Sequence, residues 1–104
     1  MVQVFPSIKP QGRRDNPHKV YVKVRCDCDF DGQIRPIMLR TEESRALKID
    51  RITDVRMAAS TKAGGCGIRY TCMIDGHELY LFHDRDWWFV EKDGLDQMIG
   101  EEQC

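Results

Sequence analysis

The stretch from Gly67 to Lys92 constrains the fold of this chain more than any other part of the sequence. Apolar and polar residues alternate from Ile68 to Ile74, which is typical of a strand with one buried face. The dipeptide Asp75-Gly76 then predicts a two-residue hairpin turn, because both residue types tolerate a positive φ angle. After a further strand and turn, the stretch Trp87–Glu91 completes a three-stranded antiparallel meander.

The same alternation divides the side chains of the meander between the two faces of a sheet. We expect one face to belong to the core, with Tyr70, Cys72, Leu79, Leu81, Trp88 and Val90. We expect any ligand on the opposite face, with Arg69, Thr71, Tyr80, Phe82, Trp87 and Phe89. An aromatic face that the core does not need is a hint of a binding surface.

Three further stretches predict strands upstream of the meander. Val20–Cys28 alternates throughout and predicts one continuous strand. Gln33–Arg40 predicts the next strand, at an edge or with a bulge at Pro36, because proline has no N–H to donate. Ala46–Ala59 slips phase and predicts a bent or bulged strand pair, with a helix as the competing interpretation.

About six antiparallel strands with close turns predict an all-β domain, a small SH3-like barrel or roll. We expect an irregular basic arm over residues 1–18, the barrel over 19–92, and a short helix or frayed acidic tail over 93–104. In that last segment Leu95, Met98 and Ile99 have the i, i+3, i+4 spacing of one helical face.

Composition describes an ordinary globular chain, with 41% hydrophobic and 32% charged residues among 104. No apolar run approaches the roughly 20 residues that span a membrane, and the N-terminus does not read as a signal peptide. Five cysteines, an odd number, favour reduced thiols. We therefore expect a cytoplasmic protein without a membrane partner.

The segment around Asp27, Asp29 and Asp31 matches the opening of a calcium loop, including the turn glycine Gly32. The match ends at the twelfth position, where Met38 replaces the bidentate glutamate. Carboxylates also suit a solvated hairpin turn, so we expect no specific metal and no cofactor here.

Cysteine and histidine supply the remaining candidates for chemistry, namely Cys26, Cys28, Cys66, Cys72, His77 and His83. The spacings C-x-C and C-x₅-C differ from the C-x₂₋₄-C of structural zinc sites. Cys66, in a glycine-rich loop, with His77 or His83 as base, forms the alternative of a thiol- or metal-dependent enzyme.

Basic and aromatic side chains on a sheet face favour a non-enzymatic binding module instead. The candidate ligand-binding residues are Tyr21, Lys23, Arg25, Arg56, Lys62, Arg69 and Trp87. Their ligand would be nucleic acid or another protein. The net charge of −1 gives the whole molecule no preference for nucleic acid.

We expect a monomer or a weak homodimer. A further alternative is a structural module that dimerises through an edge strand or through the Trp87–Phe89 face.

Several motifs between Arg45 and Glu91 carry a resemblance to a known family. They are Ile49-Asp50-Arg51-Ile52, Asp54-Val55-Arg56, Lys62-Ala63-Gly64-Gly65, Arg69-Tyr70-Thr71-Cys72 and Trp88-Phe89-Val90-Glu91. The chain resembles small domains of Gram-positive bacteria that end in a tyrosine-rich hairpin. The resemblance implies an SH3-like barrel and the bacterial cytoplasm, and it brings no activity or site with it.

Overall fold

The computed structural model describes residues 16–43, 46–60, 64 and 66–100, with side chains as far as Met98. These residues form eight strands followed by one helix. The elements are β1 (Lys19–Tyr21), β2 (Lys23–Cys28), β3 (Ile34–Arg40), β4 (Leu47–Lys48), β5 (Arg51–Ala59), β6 (Cys66–Ile74), β7 (His77–Asp84), β8 (Trp87–Glu91) and α1 (Lys92–Gly100).

The strands form a five-stranded sheet in the order β1-β8-β7-β6-β5 and a three-stranded sheet in the order β2-β3-β4. Every pairing is antiparallel. The predicted all-β class with a short C-terminal helix is therefore confirmed. The strand order does not show closure into a barrel, so the SH3-like barrel stays a prediction. Most of the predicted arm, residues 1–18, lies outside the described residues.

The prediction of one continuous strand over Val20–Cys28 is wrong, because the chain changes sheet at Val22. The Val22 amide donates to the Trp88 carbonyl at 3.0 Å, and pairing with β3 begins at Lys23. Alternation continues through the break, since valines of both strands pack against one core. Cys28 is exposed because it lies in a hairpin end where residues 27–35 are all exposed.

The predicted bent strand pair over Ala46–Ala59 is confirmed, and the helical alternative is wrong. β4 and β5 meet at a corner formed by Ile49 and Asp50, whose amides donate to carbonyls of β3 and β6 respectively. A bulge follows between Ile52 and Asp54. The corner therefore joins the two sheets through the main chain.

The bulge predicted at Pro36 is present, because the register between β2 and β3 shifts beside it. β3 is nevertheless the middle strand of its sheet. β4 pairs with β3 at Met38 and Leu39 and does not extend to Pro36. Pro36 therefore lies at a position where β4 does not accept a hydrogen bond from β3, so its missing N–H leaves no acceptor on β4 without a donor.

The turns of the meander have the predicted geometry. Asp75 and Gly76 have φ angles of 53° and 81°, so both central residues of this hairpin are left-handed. In the next turn Arg85 has φ 58°. Gly67, at the open end of β6, is required for another reason, since a Cβ there would lie 2.5 Å from the His83 carbonyl oxygen. Only glycine lets β6 and β7 approach so closely.

The main core lies between the two sheets and α1. Its buried members are Leu39, Ile49, Tyr70, Cys72, Ile74, Leu79, Leu81, Val90, Leu95 and Met98. All the meander residues predicted for the core are among them except Trp88, which is partly buried and packs against the cluster. The helix contributes Leu95 and Met98, which confirms the predicted apolar face at these two positions, while the side chain of Ile99 lies outside the described residues.

Candidate functional site

The outer face of the five-stranded sheet, turned away from the main core, collects four of the predicted ligand-binding residues. One cross-strand row runs over all five strands in the order Tyr21, Phe89, Phe82, Arg69, Arg56. Trp87 lies two residues before Phe89 on β8, and its ring is 5.6 Å from that of Tyr21 in an edge-to-face contact. The register therefore brings together aromatic groups at the β1 edge and cations at the β5 edge.

The centre of this outer face is buried, which corrects the expectation that Phe82, Phe89 and Thr71 are available to a ligand. Phe82 and Phe89 are each 1% exposed and Thr71 is 6% exposed. The two phenylalanine rings stack with their centroids 5.0 Å apart, and Tyr21 and Tyr80 pack against them. The rings form a second, smaller core, because direct cross-strand aromatic pairs pack well.

The cations at the β5 edge are largely engaged within the chain. Arg56 donates to Asp54 at 2.6 and 3.2 Å, and Arg69 approaches the same carboxylate at 3.9 Å. The hydrogen bond from Arg56 lowers the pKa of Asp54, which keeps its charge. The Arg69 guanidinium lies 4.4 Å from the Tyr80 ring centroid, a cation–π contact.

Lys19 belongs to the same face, although the alternation pattern did not mark it. Its ammonium lies 4.6 Å from the Phe89 ring centroid and 5.9 Å from that of Tyr21. The pairing of β1 with β8 places it there. That pairing joins residues about 70 positions apart, so no local sequence signal could have found the contact.

The other predicted ligand-binding residues do not join this face as expected. Lys23 and Arg25 are exposed on β2, which belongs to the three-stranded sheet. The prediction placed them with Tyr21 on the solvent-exposed face of one strand, but that strand is interrupted at Val22. Lys62 lies outside the described residues. The predicted seven-residue surface is therefore smaller than expected.

A groove opens on the opposite side of the sheet, between the end of the β2–β3 hairpin and the inner face of β5, β6 and β7. It encloses about 550 Å³. Its lining residues are Asp29, Gly32, Gln33, Ile34, Arg35, Ile52, Val55, Ile68, Tyr70 and His83. The Tyr70 hydroxyl donates to the Ile34 carbonyl at 3.4 Å and holds the hairpin against the sheet. The floor is mainly apolar, and Asp29 and Arg35 add charge on the hairpin side.

The β2–β3 hairpin covers only part of the inner face of β5. Val55 is 53% exposed and Met57 is 68% exposed, although the row of Val55 continues inward through Tyr70, Leu81 and Val90 to the core. Within the described residues, β5 pairs with β6 on one side and with no strand on the other. The sequence did not mark this surface, because alternation shows which residues share a face and not where the face is covered.

Free cysteines occur at four positions in the part of the chain that the structure describes, Cys26, Cys28, Cys66 and Cys72. Burial raises the pKa of Cys72 to about 12, so this thiol stays protonated and packs as a small hydrophobe. Burial also raises the pKa of Cys26. Cys28 and Cys66 are exposed. Cys66, the thiol on which the enzyme alternative depends, lies at the start of β6.

The groups weighed as metal ligands do not form a metal site in the described residues. Over residues 16–43, 46–60, 64 and 66–100, no three His, Cys, Asp or Glu side chains converge as a metal site. In the loop that resembles a calcium loop, the Asp31 carboxylate accepts from the Gln33 amide at 3.3 Å, and the Gly32 amide donates to the Asp29 carbonyl at 3.0 Å. These contacts are typical of a hairpin turn.

His83 stacks on Trp88 at the wall of the groove, with ring centroids 3.9 Å apart and an interplanar angle of 3°. Burial lowers its pKa, and the carboxylates of Asp86 and Asp84 oppose that shift. The imidazole is therefore held mainly neutral near pH 7, as an aromatic partner of the indole.

No family model matches the sequence, and no curated protein or solved structure is detectably similar to the chain. The resemblance to small Gram-positive domains therefore stays a prediction. In the described part of the chain, α1 is too short and too polar to cross a bilayer.

Proposed function

We propose that the chain is a non-enzymatic binding module whose ligand is an extended segment of a protein, added as a strand beside β5. The observation that carries the proposal is the edge of β5, nine residues long, which no strand of the described residues covers, beside a groove of about 550 Å³. Proteins usually shorten, cover or interrupt such an edge, because its main-chain groups pair readily with another strand.

The side chains on the inner face of β5 support the choice of a protein ligand. Val55 and Met57 are more than half exposed, and Ile34 across the groove is 37% exposed. A strand added to a sheet edge gains main-chain hydrogen bonds, and its alternate side chains enter the pockets beside that edge. A ligand with apolar residues at every second position fits this surface, since those side chains fall on one face.

A defined peptide tests the proposal. The probe is a fluorescent nine-residue peptide with Val at alternate positions and Lys and Glu between them, matched to the length of β5. We expect it to bind the full chain, and the same peptide N-methylated along one edge to bind at least about tenfold more weakly, because strand addition needs its N–H groups. Equal binding of the two peptides, or binding of neither, contradicts the proposal.

A pair of protein variants locates the bound peptide. Val55→Lys places a charge on the inner face of β5 and should weaken peptide binding about tenfold. Phe30→Lys is the matched control, because Phe30 is fully exposed at the hairpin tip and is not part of the groove lining. Both positions are exposed, so neither change should disturb folding. Equal effects of the two variants would place the peptide elsewhere.

Single-stranded nucleic acid on the outer face is the second candidate. The cross-strand row that brings Arg56, Arg69 and Tyr21 onto one face favours it, since cations and rings together hold phosphates and bases. Asp54 competes with phosphate for both arginines, so we rank it below the protein ligand. Titration with oligo-dT at low and high salt should move the Trp87 indole resonance if this candidate holds, and an unmoved resonance excludes it.

We further infer that the module works in a cytoplasm. The support is the odd number of cysteines and the four free thiols in the described part of the chain. Thiols remain reduced in that compartment.

A further inference from the structure

β5 has a sequence that is complementary to itself about Val55. Asp54 precedes that valine and Arg56 follows it, and both charged side chains lie on the outer face of the sheet. When two copies of such a strand run antiparallel with valine opposite valine, Asp54 of each copy lies opposite Arg56 of the other. Residues directly opposite in an antiparallel pair have Cβ atoms about 5 Å apart, which suits an ion pair.

The existing contacts of Asp54 and Arg56 allow this exchange. The two side chains bond within their own strand at 2.6 Å and are 35% and 63% exposed, respectively. An ion pair this exposed contributes little to stability, so replacing it with an equivalent pair between two copies costs little. Arg69 lies 3.9 Å from the Asp54 carboxylate, on the side of β6.

The inner face of β5 gains cover in the same arrangement. Val55, now 53% exposed, packs against Val55 of the second copy, and the exposed Met57 lies next to the added strand. The five-stranded sheets of the two copies become continuous through their β5 edges. A second copy therefore pairs with the β5 edge that no described strand covers, buries exposed apolar side chains and matches the charges.

We propose that the strand bound at this edge is β5 of a second copy, in an antiparallel homodimer centred on Val55, an inference that rests on the proposed function. The sequence predicted two possible dimer surfaces, an edge strand and the Trp87–Phe89 face. We propose the edge strand, because Phe89 is 1% exposed and offers no surface to a second copy.

Charge reversal tests the register. Asp54→Lys leaves two cations beside Val55, and Arg56→Glu leaves two carboxylates there. In a dimer of either variant alone, like charges lie opposite each other at two places. Its dimer dissociation constant should therefore be about tenfold higher than that of the unaltered chain. Sedimentation equilibrium measures both constants. An equimolar mixture of the two variants should recover the original association, because opposite charges then meet at both places.

The double variant Asp54→Arg/Arg56→Asp is the matched control, since it exchanges the charges and keeps the complementarity. It should associate like the unaltered chain, and native mass spectrometry of the mixed single variants should show the mixed dimer in excess over either homodimer. An unaltered chain that stays monomeric to its solubility limit overturns the proposal, as do single variants that dimerise normally or a mixture that does not recover.

The two proposals fail in different ways. If the unaltered chain is monomeric but binds the alternating peptide through β5, the dimer is wrong and the strand-binding function stands. If the chain dimerises in the proposed register, the peptide should compete with the second copy. If neither the peptide nor a second copy binds, both proposals are wrong.

Discussion

His83 combines a titratable group with a packing role. Its ring stacks on Trp88 at 3.9 Å on the wall of the groove, and burial lowers its pKa from the ordinary 6.5. The folded chain therefore binds this proton less readily than the unfolded chain does. Between the two pKa values the unfolded state carries more protons, so the free energy of unfolding rises with pH in that window.

We expect the contribution of His83 to stability to be lost as the pH falls from 6.5 toward the lower folded-state pKa. The variant His83→Phe keeps a ring on Trp88 and should remove this part of the pH dependence, measured by urea unfolding at a series of pH values. His77→Gln is the control and should retain it. An NMR titration midpoint for His83 at or above 6.5 would contradict the prediction.

At the level of single residues, the sequence predicted most where the geometry is local. Asp75-Gly76 demands a turn with two positive φ angles, and that turn is present. The burial of Tyr70 and Cys72 also follows from alternation. The buried state of Phe82 could not be predicted, because it depends on Phe89 directly opposite and on Tyr21 from a distant strand.

At the level of elements, β7 and β8 are buried on both faces. Leu81 and Val90 face the main core, while Phe82 and Phe89 stack on the outer face. These two strands lie in the interior of the five-stranded sheet, flanked by β1 and β6. The outer aromatic pair should therefore contribute to folding as a core does, and not to ligand binding.

Phe82→Ala should lower the free energy of unfolding by about 3–5 kcal/mol, the usual cost of deleting a buried aromatic ring. Trp87→Ala is the control on the same face, and it should cost less because Trp87 is partly exposed. Urea denaturation followed by circular dichroism measures both. If the tryptophan variant is the less stable of the two, the outer pair is not a core.

Among the described strands β5 is an edge strand, and strand order of this kind cannot be predicted from alternation. The sequence predicted a bent strand over this stretch and gave Arg56 a place on a binding surface. It could not predict that β5 would lie at the end of the described sheet, because that position depends on the distant strand β1 pairing with β8 and not with β5. A candidate site made by an edge therefore becomes visible only with long-range pairing.

At the scale of the whole molecule, two corners join the sheets, one at Val22 and the other at Ile49–Asp50. The smaller sheet contributes Leu39 and Ile49 to the core that the larger sheet supplies with Tyr70 and Leu81. Neither sheet buries its apolar face without the other, so the described elements should unfold together. This continuity also means that the groove, which both sheets line, depends on the whole fold.

Leu39→Ala tests this dependence, because Leu39 is fully buried and lies on the smaller sheet. We expect the free energy of unfolding to fall by about 2–5 kcal/mol. Tryptophan fluorescence, which reports on Trp87 and Trp88 in the larger sheet, should shift to the same urea midpoint as circular dichroism. Lys48→Ala, an exposed change on the neighbouring strand, should leave the midpoint nearly unchanged. Separate fluorescence and circular dichroism transitions in the Leu39 variant would mean that the larger sheet folds without the smaller one, and the groove would then be a junction between two independent units.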